Sequence, residues 1–166
     1  AEGLRVRIGR WNVPGRPTAI LVDFKQFLTS QNEILTEFWK KFGVDSLTGN
    51  WDYRESALFG YAAGRVIESF YRFNLESSDK VVAQFHEWMT GTGLLYLKSV
   101  NVPIATVFTT HATVIGRCIA GNNLPLYDGI LGYNSDEKAR QFNVVARHSL
   151  EKKAAENSDI FTTVSD

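Results

Sequence analysis

The chain reads as an α/β domain: a mostly parallel sheet flanked by helices, opened by an antiparallel hairpin. Three observations predict this. Short β-branched apolar runs at 80–85, 103–109 and 160–164 alternate with helical patterning, giving the order α-β-α-β-α-α-β from residue 54 onward. Such alternation makes a parallel sheet with right-handed crossovers the default. Two of the runs each end at a histidine, His86 and His111, where strand gives way to helix. Ligands in open α/β sheets bind beyond the carboxyl ends of the strands, so two imidazoles 25 residues apart predict one crevice with polar chemistry in it.

Each element has its own signal. Leu4 to Ile8 alternates apolar and basic residues, the period of a strand with one wet face. Pro14-Gly15-Arg16-Pro17 is a turn, and Ala19 to Val22 predicts a second strand, buried on both sides, that completes a hairpin at the sheet's flank. Asn32 to Phe42 is a short amphipathic helix stopped by Gly43, and Trp51-Asp52-Tyr53 marks a loop or helix start. From Arg54 to Phe73 the residues Leu58, Phe59, Ala62, Ala63, Val66, Ile67 and Phe70 form a wide apolar stripe. After strand 80–85 a helix runs from about Trp88 to Ser99, and after strand 103–109 another starts between Ala112 and Ala120. Asn-Asn, Pro, Asp-Gly and Gly make Gly121 to Tyr133 an irregular loop. Ser135 caps a long charged helix to about Glu156, which leads into strand 160–164.

Composition narrows the function. A chain of 166 residues fits a single domain, 1–166, and buries roughly 70% of its unfolded surface. Net charge is zero, which argues against an electrostatic nucleic-acid binder. One cysteine, Cys118, rules out an internal disulfide and a multi-cysteine metal cage, and suits a reducing compartment. No apolar run approaches the roughly 18 residues of a membrane span, so a soluble, cytoplasmic protein is expected. Ala1 is not an initiator methionine, and Asp166 follows closely on an apolar strand. Both predict a piece of a longer enzyme.

His111 is the sharpest candidate for chemistry. It follows Thr109-Thr110 and precedes a helix whose free N–H groups face the crevice, with Arg117 six residues on. A neutral imidazole and a guanidinium suit a phosphorylated ligand. A capping histidine and a surface ion pair would account for the same spacing. His86-Glu87-Trp88 is the second candidate. Near a helix start the dipole keeps Glu87 ionised and able to accept a proton, although an ordinary first-turn carboxylate beside a core tryptophan reads the same way. Gly91 and Gly93 are poor helix formers, so either a ligand approaches the backbone or strand and helix pack closely. His148 reads as surface or semi-buried structure. Phosphate-loop, dinucleotide, nucleophile-elbow and zinc-protease motifs are absent, and three scattered histidines do not make a metal site.

Three strings, Val81 to Gly91, Val107 to Arg117 and Ile160 to Ser165, resemble the amino-terminal domain of glycogen synthases, the animal and fungal branch most of all. Weaker echoes are Gly9-Arg10-Trp11, Tyr53-Arg54-Glu55, Leu58-Phe59-Gly60, and Arg147 with Glu151. The resemblance implies a Rossmann-like domain, half of a two-domain GT-B retaining glycosyltransferase. It implies glucose transfer from UDP-glucose, or ADP-glucose as in bacterial and plant relatives, to the non-reducing 4-hydroxyl of an α-1,4-glucan, with no cofactor. Carried over, His111 contacts the donor glucose, Arg117 the phosphates, and Glu87 accepts a proton on the acceptor side with His86 supporting it. The family's first strand with its glycine-rich, lysine-bearing loop and its carboxyl-terminal nucleotide domain are not in this sequence, and Gly121 to Tyr133 departs from the animal pattern. The rival readings are a non-catalytic carbohydrate-binding or regulatory domain of the same fold, and another GT-B glycosyltransferase.

Overall fold

The structure, a computed structural model, describes residues 3–164. Ala1 and Asp166, on which the expectation of a longer enzyme rested, lie outside the described residues, as does Ser165. The element order is β1 (Arg5–Arg10), β2 (Thr18–Asp23), α1 (Gln31–Phe42), α2 (Trp51–Asn74), β3 (Val82–His86), α3 (Gly91–Val100), β4 (Ala105–Thr110), α4 (Val114–Gly121), α5 (Leu126–Gly129), α6 (Ser135–Gln141), α7 (Val145–Asn157) and β5 (Ile160–Thr163). The predicted α/β class holds. β3, β4 and β5 form a parallel sheet in that order, with Phe85 opposite Phe108 and Phe108 opposite Phe161.

One face of this sheet makes the core. Ala83, Phe85 and Phe108 pack with Leu94, Leu95 and Leu97 of α3, with Ala146, Leu150 and Ala154 of α7, and with Tyr53 and Ala57 of α2. The other face is open among the described residues. Val82 and Ile160 are more than half exposed there, so strand 80–85 alternates buried and exposed rather than being buried throughout. A run flanked by a single layer keeps one wet face, and Gln84 and His86 supply its polar side. Toward the carboxyl ends that face carries a polar rung: Gln84 Nε2 donates to Thr109 Oγ1 (3.0 Å), and the Thr109 and Thr162 hydroxyls bond at 2.8 Å.

The hairpin forms as read but does not flank the sheet. β1 and β2 make a separate two-stranded sheet, and β2 is mostly exposed rather than buried on both sides. It sits against α2 through a small cluster of Phe27, Leu58 and Ala62 with Val22. The wide stripe of α2 is thereby explained, because the helix packs on two sides. Leu58 and Ala62 meet the hairpin side; Gly60 and Gly64 meet α3, where a Cβ at Gly93 would stand 2.6 Å from the Gly60 carbonyl oxygen and 2.8 Å from Phe85 Cε1. Close packing, not a ligand, accounts for Gly93. Gly91 likewise lies against Leu150 and Ala154.

Local capping chemistry sets the boundaries. Asn50 Oδ1 accepts the Tyr53 amide at 3.1 Å and starts α2, while Gly43, at φ 72°, ends α1. The long charged helix expected after Ser135 is two helices. Asn143 adopts φ 55° and breaks the run, and the cap is Asn134, whose Oδ1 accepts the Asp136 and Glu137 amides. The segment expected to be an irregular loop holds α5 and a 3-10 turn at Ile130–Gly132. No helix of the described residues is long and apolar enough to cross a membrane.

Candidate active site

The ends of β3 and β4 build the site. The ladder runs one step past β3, where the Glu87 amide donates to the Thr109 carbonyl at 2.9 Å. Glu87 then takes φ 64° and ψ 164°, a region that essentially only glycine populates and that costs other residues about 1–3 kcal/mol. The surroundings hold it there. Thr90 Oγ1 donates to the His86 carbonyl at 2.8 Å, its amide donates to the Glu87 carbonyl at 3.1 Å, and Trp88 stacks on the buried Tyr53 ring beneath the Arg147 guanidinium.

This bend turns the carboxylate sideways. Glu87 stands at the N-cap position of a 3-10 turn, Trp88–Thr90, as its place near a helix start predicts, but its side chain makes no cap bond; Oε1 accepts the His111 backbone amide at 2.8 Å. Oε2 makes no hydrogen bond among the described residues. His86 and His111 lie side by side, with Nδ1 of the first 3.0 Å from Nε2 of the second and the rings 5.3 Å apart at 29°. One nitrogen must donate and the other accept, so one proton is shared there. Both imidazoles are exposed and Glu87 is half-buried. The three residues therefore meet at one lip of the sheet, open to solvent.

Arg117 stands on α4, exposed, with no hydrogen bond or ion pair to the other three and no surface ion pair among the described residues. Two of the amides at the start of α4 already have side-chain acceptors. Thr113 Oγ1 accepts from Gly116, and the Val114 amide donates to both oxygens of Glu151, at 3.0 and 3.2 Å. Glu151 is 6% exposed. Burial pushes its carboxyl up to about 7; the Val114 amide opposes that shift, nearby Glu87 adds to it, and Arg117 opposes it. Sequence reasoning marked Glu151 only as a family echo. Its signal was a carboxylate beside the Ala146, Leu150, Ala154 seam, on the apolar side of an otherwise charged helix. His148 is also less idle than read: it is 9% exposed and bonds Asp136 at 3.0 Å, and Asp136 also pairs with Lys152.

A protein-family model described as "Glycogen synthase" matches residues 1–166. A "Glycogen [starch] synthase" of Dictyostelium discoideum is 35% identical over 99% of this chain, which covers 18% of that protein. The Neurospora crassa protein of the same name and isoform 2 of Saccharomyces cerevisiae are each 31% identical over 99% of the chain, which covers 23% of each. The chain thus spans about a fifth of the length of these relatives. A match along all 166 residues places the chain in the glycogen synthase family.

Proposed function

We propose that this chain is part of the acceptor-side domain of a glycogen synthase. The enzyme transfers glucose from UDP-glucose to the non-reducing 4-hydroxyl of an α-1,4-glucan and retains the anomeric configuration. The observation that carries this reading is Glu87: a carboxylate held in a costly backbone conformation, one oxygen tied to the His111 amide and the other open beside two imidazoles. Backbone strain of this kind gathers at working sites.

In this reading the acceptor oxygen bonds to C1 of glucose as the bond from C1 to the phosphate breaks, on the same face of the sugar. Glu87 Oε2 takes the hydroxyl proton, His111 hydrogen-bonds the transferring glucose, His86 holds the His111 ring, and Arg117 meets the phosphates. No covalent nucleophile is needed, because catalysis comes from positioning and from charge placed where the phosphate leaves. The partners are the nucleotide sugar, the glucan and a nucleotide-binding domain. The isolated 166-residue chain is expected to have no synthase activity, which incubation with either nucleotide sugar checks.

The test is glucosyl transfer by the full-length protein, with UDP-glucose against ADP-glucose. UDP-glucose should be the better donor, and His111→Ala or Glu87→Gln should lower turnover by about a hundredfold. Near-normal turnover in both variants would refute the assignment. Glucan binding without transfer by the unaltered protein would point instead to a non-catalytic carbohydrate-binding domain.

A further inference from the structure

The two turns that carry the site rest on one helix. At Gly91, four residues after Glu87, an added Cβ would stand 3.2 Å from Ala154 Cβ and 3.2 Å from Leu150 Cδ1. At Val114, three residues after His111, the backbone amide donates to Glu151. Residues 150–154 of α7 therefore touch both strand-end turns at once. We propose that Glu151 is a positioning residue of this site, holding the first turn of α4, and with it His111 and Arg117, in register against the turn that bears Glu87.

The choice of residue supports this. Glu151 is almost fully buried, and its hydrogen bonds among the described residues come from the Val114 amide alone, with no cation in contact. Burying a carboxyl without a paired cation is costly, and a glutamine could accept the same amide without a charge. A carboxyl there holds the amide as a glutamine would and adds a pH dependence that a neutral acceptor lacks. Glu87 faces it from the β3–α3 turn and Arg117 from α4, and both act on its titration in opposite directions. His148, with Thr113 and Ser135, lines the same cleft, while Lys152 is turned to Asp136 and Arg147 lies over Trp88. Negative charge on Glu151 is therefore opposed by Glu87 and favoured by Arg117.

The inference rests on the transfer reading above, so its test has one arm that needs no activity. Glu151→Gln and Glu151→Leu are compared in the full-length protein. Amide exchange across residues 111–121 is followed by mass spectrometry, and UDP-glucose transfer is measured between about pH 5 and 9. Leucine should speed exchange in that segment and lower turnover by about tenfold each. Glutamine should recover most of both losses, while the inflection of the wild-type rate near neutrality disappears. Leucine with wild-type exchange and kinetics would overturn the proposal, and so would glutamine failing as badly as leucine. If the leucine variant does not fold, glutamine decides: normal protection with a changed pH profile supports the proposal, and an unchanged profile overturns it. If the unaltered protein transfers glucose from neither donor, the functional reading falls. Positioning is then judged on exchange alone, supported if only leucine loosens 111–121 and overturned if the two variants behave alike.

Discussion

Gly93→Ala tests the packing that places the site. In a helix, alanine is favoured over glycine by about 1 kcal/mol, so on propensity alone the substitution stabilises α3. Geometry opposes that gain. The new Cβ would stand 2.6 Å from the Gly60 carbonyl oxygen, which is backbone of α2, and 2.8 Å from Cε1 of the buried Phe85. Neither neighbour is the free end of a flexible chain, and Gly64 closes the same crossing, its own added Cβ meeting the Gly93 carbonyl oxygen at 2.8 Å. Overpacking in such a place costs about 3 kcal/mol, the upper part of the usual range, which leaves a net loss of about 2 kcal/mol. Hydrogen exchange in the full-length protein reads this directly. Protection of α2 and α3 amides should fall by roughly thirtyfold, using the ordinary conversion of free energy to population. Gly121→Ala, where nothing lies within 4 Å of the new Cβ, serves as the control and should be neutral or slightly stabilising. Equal protection in Gly93→Ala and Gly121→Ala would refute the reasoning.

Two other outcomes follow from the site. Glu87→Gly should be more stable than Glu87→Ala by about 1–2 kcal/mol in chemical denaturation, because both lose the carboxylate and only glycine relieves the backbone, reversing the usual order of the two residues. Equal stability, or alanine ahead, would mean that the turn is unstrained. Glu151 gives a pH dependence of known sign: its ordinary value is near 4.5 and burial pushes it to about 7, so the unfolded chain loses this proton first. Its stabilising contribution is complete below about pH 4.5 and falls as pH rises toward about 8, by roughly 3 kcal/mol in all. Glu151→Gln should therefore gain on the wild-type protein in α7 opening free energy between pH 5 and pH 8 by about that amount; a constant gap would contradict the burial argument.

The strand ends were legible because their signals are local. A short β-branched run followed by histidine and helical residues marks both ends, and parallel pairing then brings His86 beside Thr109, two residues before His111. The hairpin turn and the Gly43 stop were readable for the same reason, whereas α2 starts at Trp51, three residues before the expected Arg54. What was missed depends on neighbours distant in sequence. The unbroken apolar run Ala19 to Val22 identified a strand and suggested burial on both sides, but its exposure is set by how the hairpin sits on α2. The charged pattern from Ser135 onward is compatible with one helix or two, and a single left-handed Asn143 decides between them. Glu151 stood out only as a family echo, because its partner, the Val114 amide, is 37 residues away. The bend at Glu87 left no trace in composition, since a glutamate occupies a place where glycine would be the expected residue.

The Gln84, Thr109 and Thr162 rung divides the uncovered face of the sheet into two territories. Behind it Val82 and Ile160 offer greasy surface, and ahead of it the strands end in hydroxyl, amide and imidazole groups. Any layer drawn onto the greasy territory by water exclusion loses its driving force at that boundary. The polar rim at the strand ends therefore stays hydrated.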